Sequence, residues 1–231
     1  MCKEKLGVVA FDMDGVLVKC KSSWEYLHES VGSAQIVHQY RYRDMFVRGQ
    51  ISYIEWMKRD LEAILQVKKG KIGKKEIEYI FSKVEIEDYA QEVVSFIKSL
   101  GILTAIVSAG IDVLAERVAR ELGIDIVYAN KLLFDETGYL RPNGIGVVNP
   151  LKKDVILMDI SRQHKVPLNK FMFVGDSEWD LTAFKVVKYP VYYVKSDTIN
   201  ELSRIRKYVS NIIIIRSLKD LNNIIKTICL K

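Results

Sequence analysis

Hydrophobic positions along the chain fall into two regimes. Residues 7–11, Gly-Val-Val-Ala-Phe, form an unbroken apolar run that stops at Asp12. A short run without polar alternation predicts a strand buried on both faces, as in a parallel sheet. From Lys19 to Glu85 the period changes. Ser22 with Glu25, and Ser52 with Glu55, have the spacing of capping boxes that open helices. Ile54, Met57, Leu61, Ile64 and Leu65 then recur at helical intervals. Residues 34–47 and 74–84 are predicted as two further helices. The stretch holds no proline and no convincing buried strand, so residues 19–85 read as an inserted helical domain.

After Glu87 strands and helices alternate. The pattern predicts a helix over 89–100 ended by Gly101, a strand over 102–107, and a helix to Leu122 ended by Gly123. A short strand at 126–128 follows. Segments 132–134 and 145–148 form a small β excursion turning at Asp135-Glu136-Thr137-Gly138. Pro150 introduces a helix to His164, the strand 171–174 runs into Gly175-Asp176, and 178–187 is helical. Strands at 191–194 and 212–215 close the pattern. Such alternation predicts an α/β fold, a doubly wound and mostly parallel sheet. Its core comprises residues 1–18 and 86–231.

Composition narrows the class. Of the 231 residues, 49% are hydrophobic and 28% charged, a globular balance that excludes a disordered or collagen-like chain. No apolar run approaches the roughly 20 residues of a membrane span, and the N-terminus lacks a signal-peptide pattern. The net charge of +6 is too mild to imply nucleic acid and suits a small anionic ligand. Cys2, Cys20 and Cys229 are odd in number and lack metal-ligand spacing. They predict no disulfide framework and no zinc site, in a reduced cytoplasmic protein.

The chemistry lies where the strands end. Asp12, Ser108 and Asp176 each sit at or just past the carboxyl end of an apolar strand, the edge at which open α/β sheets bind ligands. Asp12 and Asp14 point to one side of an extended chain, so their repulsion calls for a cation or a shared proton. Asp180 lies one helical turn beyond Asp176 and faces the same spot if a helix starts near Ser177. Hard oxygen donors without His or Cys favour magnesium over zinc. A single Asp after a strand is more often a cap or turn former, an account that weakens when four such carboxylates share strand ends. Lys152 and Lys153, in the first turn of a helix, oppose its dipole unless an anion binds there; one of the two is the better candidate. Ser108, Ala109 and Gly110 outline a phosphate cradle at a helix start.

With these residues in place, the sequence resembles the haloacid dehalogenase superfamily. Phe11-Asp12-Met13-Asp14-Gly15-Val16-Leu17 is similar to its first motif and Val107-Ser108-Ala109-Gly110 to its second. Lys153 resembles the third, and Gly175-Asp176-Ser177-Glu178-Trp179-Asp180 the fourth. The motifs occur in the family's order, the helical insert stands where a type-one cap stands, and the nearest branch is the phosphoserine phosphatase-like one. The resemblance implies a Rossmann-like core and a magnesium-dependent phosphatase acting on a small phosphorylated metabolite. Asp12 is then the nucleophile and Asp14 the general acid and base. Lys153 and Ser108, with Ala109 and Gly110, hold the phosphoryl oxygens. Mg2+ is held by the Asp12 and Asp176 carboxylates and the Asp14 backbone carbonyl, and Asp180 orients Lys153 or the metal's surroundings. The second Asp favours phosphate esters over halides, whose departure needs no proton.

The insert is basic, with 13 Lys and Arg against 9 Asp and Glu. Trp24, Tyr26, His28, Tyr40, Arg41, Tyr42, Arg43, Arg48 and Trp56 are its candidate pocket residues, though core packing accounts for most aromatics at helical spacing. His28, His38 and His164 read as ordinary surface or core residues. Three positions depart from the phosphoserine phosphatase pattern. Lys21 replaces an acidic residue, Asp60 falls at the register of a substrate-binding Arg, and Trp179 stands where Asn is usual. They turn the expectation away from phosphoserine itself. Transfer of the phosphoryl group to an acceptor other than water, and a non-catalytic binding protein on the same scaffold, are the competing readings.

Overall fold

The computed structural model describes residues 2–195 and 199–230, so the outermost limits of the predicted core, residues 1 and 231, lie outside it. After a short 3-10 turn, strand β1 (Val8–Phe11) leads into five helices: α1 (Ser23–Val31), α2 (Ala34–Tyr40), α3 (Tyr42–Val47), α4 (Tyr53–Val67) and α5 (Lys74–Phe81). Helix α6 (Ala90–Ser99) returns to the sheet at β2 (Leu103–Ile111). Then come α7 (Asp112–Leu122), β3 (Ile126–Phe134), β4 (Leu140–Ile145), α8 (Lys153–His164) and β5 (Phe171–Gly175). The chain ends with α9 (Leu181–Val186), β6 (Tyr189–Tyr193), α10 (Ile199–Arg206), β7 (Ile213–Ile215) and α11 (Asp220–Leu230).

The strands form one sheet in the order β4-β3-β2-β1-β5-β6-β7. All neighbours are parallel except β3 and β4. Every residue of β1 is fully buried. Alternate residues enter opposite layers: Val9 and Phe11 pack with Ile106, Met172 and Val174 on one face, Val8 and Ala10 with Val107, Phe171 and Phe173 on the other. That two-sided burial is why β1 carries no polar alternation. Strand order reverses at β1, between β2 and β5, and this places a crevice at its carboxyl end.

Four expectations are corrected. The predicted helix over 34–47 is two helices, broken at Arg41, which adopts a left-handed conformation (φ 55°). No glycine marks the break; the parallel stacking of Tyr40 on Tyr42 and the pairing of Arg41 with Asp44 hold it instead. Second, Ser108-Ala109-Gly110 lies inside β2, and α7 starts only at Asp112. The strand is prolonged because Ile111 pairs with Asn130 beyond a register shift. Third, the segments at 126–128 and 132–134 are one strand, β3, and its partner is β4 rather than 145–148. Arg141-Pro142-Asn143-Gly144 reads as a breaker, but β4 is an edge strand and tolerates a missing N–H. Fourth, Cys2 and Cys229 form a disulfide across 227 residues, tying the N-terminal turn to α11; a pairing between chain ends leaves no local spacing to read.

The capping boxes form by half. Ser22 and Ser52 accept the N–H groups of Glu25 and Glu55, while the two carboxylates turn to His38 and Arg59. The β3–β4 hairpin seats α4 over the sheet. A Cβ at Gly144 would meet the Lys131 carbonyl and Met57, and one at Gly146 would meet Ile54.

Candidate active site

A cavity of about 650 Å³ lies between the carboxyl edge of the sheet and the helices α1–α4. Asp12, Asp14, Ser108, Ala109, Gly110, Lys153 and Asp176 all line it, together with Lys21 and Asp60. Segments more than 160 residues apart in sequence therefore meet at one site, as the strand-end pattern predicts.

Asp12 follows β1 directly. Its N–H donates to the Val174 carbonyl, and its Oδ1 accepts the Met13 N–H at 2.7 Å. Lys153 approaches from the first turn of α8, where its own N–H is fixed by the Thr182 hydroxyl. Its ammonium, 1% exposed, lies 2.9 Å from Asp12 Oδ2 and 2.6 Å from Asp180 Oδ1. Burial alone would lower the Lys153 pKa, but the two carboxylates outweigh it and hold the amine charged. Lys152 is exposed, which settles which of the two lysines reaches the site. Asp180 ends a 3-10 turn over Glu178–Asp180, capped reciprocally with Ser177, and its Oδ2 also accepts the Asp176 N–H.

Asp14 turns the other way. Its Oδ2 accepts from both the N–H (2.9 Å) and the hydroxyl (2.8 Å) of Ser23. Burial, then the adjacent Asp12 charge, pushes its pKa up to about 7. Asp176 is raised well above the ordinary carboxylate range by burial and then by Asp180 and Asp12. Ser108 is buried, and its Oγ accepts the Gly110 N–H at 3.1 Å. Glycine is required at two of these positions. A Cβ on Gly110 would strike Ser23, Asp14 and Met13, and one on Gly15, at φ +73°, would strike the Asp176 carboxylate.

Four buried or half-buried carboxylates thus surround one ammonium. The excess negative charge fits a cation: Asp12, Asp176 and Asp180 each offer an oxygen, all within 4.8 Å of one another. The donor set is all oxygen, as hard divalent ions prefer. The Asp14 carboxylate is not in this group, being held by Ser23.

Sequence reasoning missed Ser23, Tyr53 and Asn130. Ser23 is fully buried, and besides holding Asp14 its hydroxyl accepts the Ile111 N–H. Three side chains converge on the carbonyl of Ala109: Trp24 Nε1 (3.1 Å), Tyr53 OH (3.1 Å) and Asn130 Nδ2 (2.8 Å). The helical insert is thereby tied to the Ser108–Gly110 segment. Only the doubled serine at 22–23 hinted at any of this, since a helix start needs one. Among the predicted pocket residues of the insert, Trp24, His28, Tyr42, Arg43 and Trp56 line the cavity; Tyr26, Tyr40, Arg41 and Arg48 do not. His28 is buried, bonded to Ser33 at Nδ1 and 3.8 Å from Asp60 at Nε2. His38 is exposed and pairs with Glu25, and His164 is exposed at the far end of α8.

The chain is 28% identical over 176 residues to a phosphoserine phosphatase of Archaeoglobus fulgidus, covering 75% of this chain and 48% of that one. It thus spans about half the length of that relative. A phosphoserine phosphatase of Methanocaldococcus jannaschii is 24% identical over 184 residues, covering 79% and 83%. In fold, the chain resembles a phospho-aspartyl intermediate analogue of phosphoserine phosphatase, with TM-score 0.74, 20% identity and coverage of 95% and 99%. Residues 6–188 match the family model of haloacid dehalogenase-like hydrolases. With that match covering most of its length, the chain belongs to the haloacid dehalogenase-like hydrolases.

Proposed function

We propose that the protein is a magnesium-dependent phosphomonoesterase that hydrolyses a small phosphorylated metabolite through an aspartyl-phosphate on Asp12, with residues 19–85 as its cap. The observation that carries this reading is the division of labour between two carboxylates two residues apart. Asp12 faces Lys153, and Asp14 faces Ser23 with its pKa near neutrality. One lies against an ammonium as the nucleophile, the other is poised to carry a proton.

In the first step an Asp12 oxygen attacks phosphorus and the bond to the ester oxygen breaks. Asp14 gives its proton to the departing alkoxide. In the second step water attacks the aspartyl-phosphate, Asp14 takes the water proton, and the bond to Asp12 breaks to release orthophosphate. A carboxylate approaching a phosphate is repelled, so neutralisation of charge dominates catalysis. The Lys153 ammonium supplies part of it. The Ser108 oxygen already accepts from Gly110, which leaves its own proton to donate to a phosphoryl oxygen. Asp180 holds Lys153 in place. Mg2+, held by Asp12, Asp176 and the Asp14 backbone carbonyl, with Asp180 close by, would supply Lewis-acid neutralisation of the phosphoryl charge.

The test is an Asp12→Asn variant beside a chelation series on the wild type. Asn keeps the shape and loses the nucleophile, so turnover falls by about 10³-fold or more with the fold intact. Chelator abolishes activity, magnesium restores it, and calcium restores it poorly. Full activity in excess chelator, or in a clean Asp12→Asn preparation, overturns the mechanism.

A further inference from the structure

On the phosphomonoesterase reading, the cap end of the cavity meets the substrate's alcohol. The phosphoryl end of the cavity is ionic, but the cap end is walled by rings. Trp24 comes from α1, Tyr42 from α3, Tyr53 and Trp56 from α4, and Trp179 from the core loop that carries Asp176 and Asp180. Two of these rings have their polar tips already engaged: Trp24 Nε1 and Tyr53 OH both donate to the Ala109 carbonyl. Neither tip is left to bind a polar substrate group. Trp179 is fixed between core and cap, stacked on Phe46 at 6.4 Å with the planes 20° apart, and with the Arg43 guanidinium 5.3 Å from its ring centre.

The acidic groups of the cap end are likewise engaged. Glu25 pairs with His38 at 2.8 Å and Glu201 accepts the Glu178 N–H, while Asp60 is almost wholly buried. A substrate ammonium would have to displace one of these partners. The volume points the same way. About 650 Å³ lies within the range of about 300–1,000 Å³ that encloses drug-sized ligands, and a phosphorylated three-carbon amino acid leaves most of it empty.

We propose that the phosphate ester cleaved here carries an aromatic or heteroaromatic ring on its alcohol, seated in the cap end of the cavity among the rings of Trp56, Tyr42 and Trp179. Ring stacking on aromatic side chains tolerates different ring chemistries and is strong enough to set specificity.

Benzyl phosphate and ethyl phosphate test this directly, because both leave as simple alkoxides and differ in the ring. With magnesium present, kcat/KM for benzyl phosphate exceeds that for ethyl phosphate by about tenfold or more. L-phosphoserine falls below both, and pyridoxal 5′-phosphate or a nucleoside 5′-monophosphate matches or exceeds benzyl phosphate. In Trp56→Ala the benzyl-to-ethyl ratio falls toward one. Tyr42→Leu, at a half-buried position, reads the same ratio if Trp56→Ala does not fold. Equal kcat/KM for benzyl and ethyl phosphate in the wild type, or L-phosphoserine as the best substrate, overturns the ring proposal and leaves the phosphomonoesterase reading standing. No magnesium-dependent hydrolysis of any ester overturns that parent reading and this one with it.

Discussion

Below the cavity, the sheet edge concentrates charge: Lys153 and Asp180 are almost wholly buried, and the Lys153 ammonium lies within 3 Å of both Asp12 and Asp180. Above it, the helices α1–α4 present rings, with cations such as Lys21 and Arg43 left exposed. Rigid ionic geometry suits the part of the substrate that every turnover shares, the phosphoryl group. Rings and exposed charges suit the part that varies. A buried ion pair loses several kcal/mol when one partner is removed, whereas an exposed charge contributes little to stability. The two halves should therefore respond differently to substitution.

The sharpest way to break this contrast is Lys153→Met. Met preserves the apolar stem but leaves Asp180 and Asp12 facing each other without a cation. Stability is expected to fall by about 3–5 kcal/mol, read as a lowered denaturation midpoint, and kcat by about 10³-fold or more. A variant of unchanged stability would show that Asp180 is not held as a buried ion pair.

A smaller effect is expected at the tie between the halves. Trp24→Phe with Tyr53→Phe leaves an aromatic ring at each position and removes two of the three donors to the Ala109 carbonyl. Each hydrogen bond contributes about 1 kcal/mol, so kcat/KM is expected to drop about tenfold and inhibition by orthophosphate to weaken. A loss of thermal stability with unaltered orthophosphate inhibition would mean that the tie is structural only.

The smallest effect belongs to the rim. Lys21→Glu replaces an exposed cation with an anion beside the cap end of the cavity. Solvent screening limits the change to about three- to tenfold in kcat/KM: a gain for L-phosphoserine and a loss for phosphoglycolate. If neither moves, Lys21 points to solvent and plays no part in selection. Measured together, the three variants decide whether sensitivity declines from sheet to cap as burial declines.

Much of the fold was legible because each element carries its own local code. β1 shows as an apolar run since both its faces are buried; α1 and α4 announce themselves by serine caps and α7 by its closing Gly123. The break at Arg41 was not legible, because a left-handed arginine is held by ring stacking and a salt bridge rather than by its own propensity. Likewise β4 contains Pro142 and is a strand only because it lies at the sheet edge. In the site, Asp12, Asp14, Asp176 and Asp180 stand out because charge at the end of a buried strand is conspicuous. Ser23, Tyr53 and Asn130 do not, since polar residues of their kind are common.

By itself, then, the sequence determined most of the order of strands and helices and the placement of four carboxylates and one lysine at strand and helix ends. Those features depend on backbone period and on neighbours a few residues away. The tertiary structure alone decided that Lys153 rather than Lys152 turns inward, and that Asp14 is held by Ser23 while Asp12 is held by Lys153. It also decided that three donors from distant segments meet on one carbonyl, and that Cys2 reaches Cys229. These are contacts between residues roughly 10 to 230 positions apart, fixed by how the layers pack, and packing at that range leaves no periodic trace along the chain.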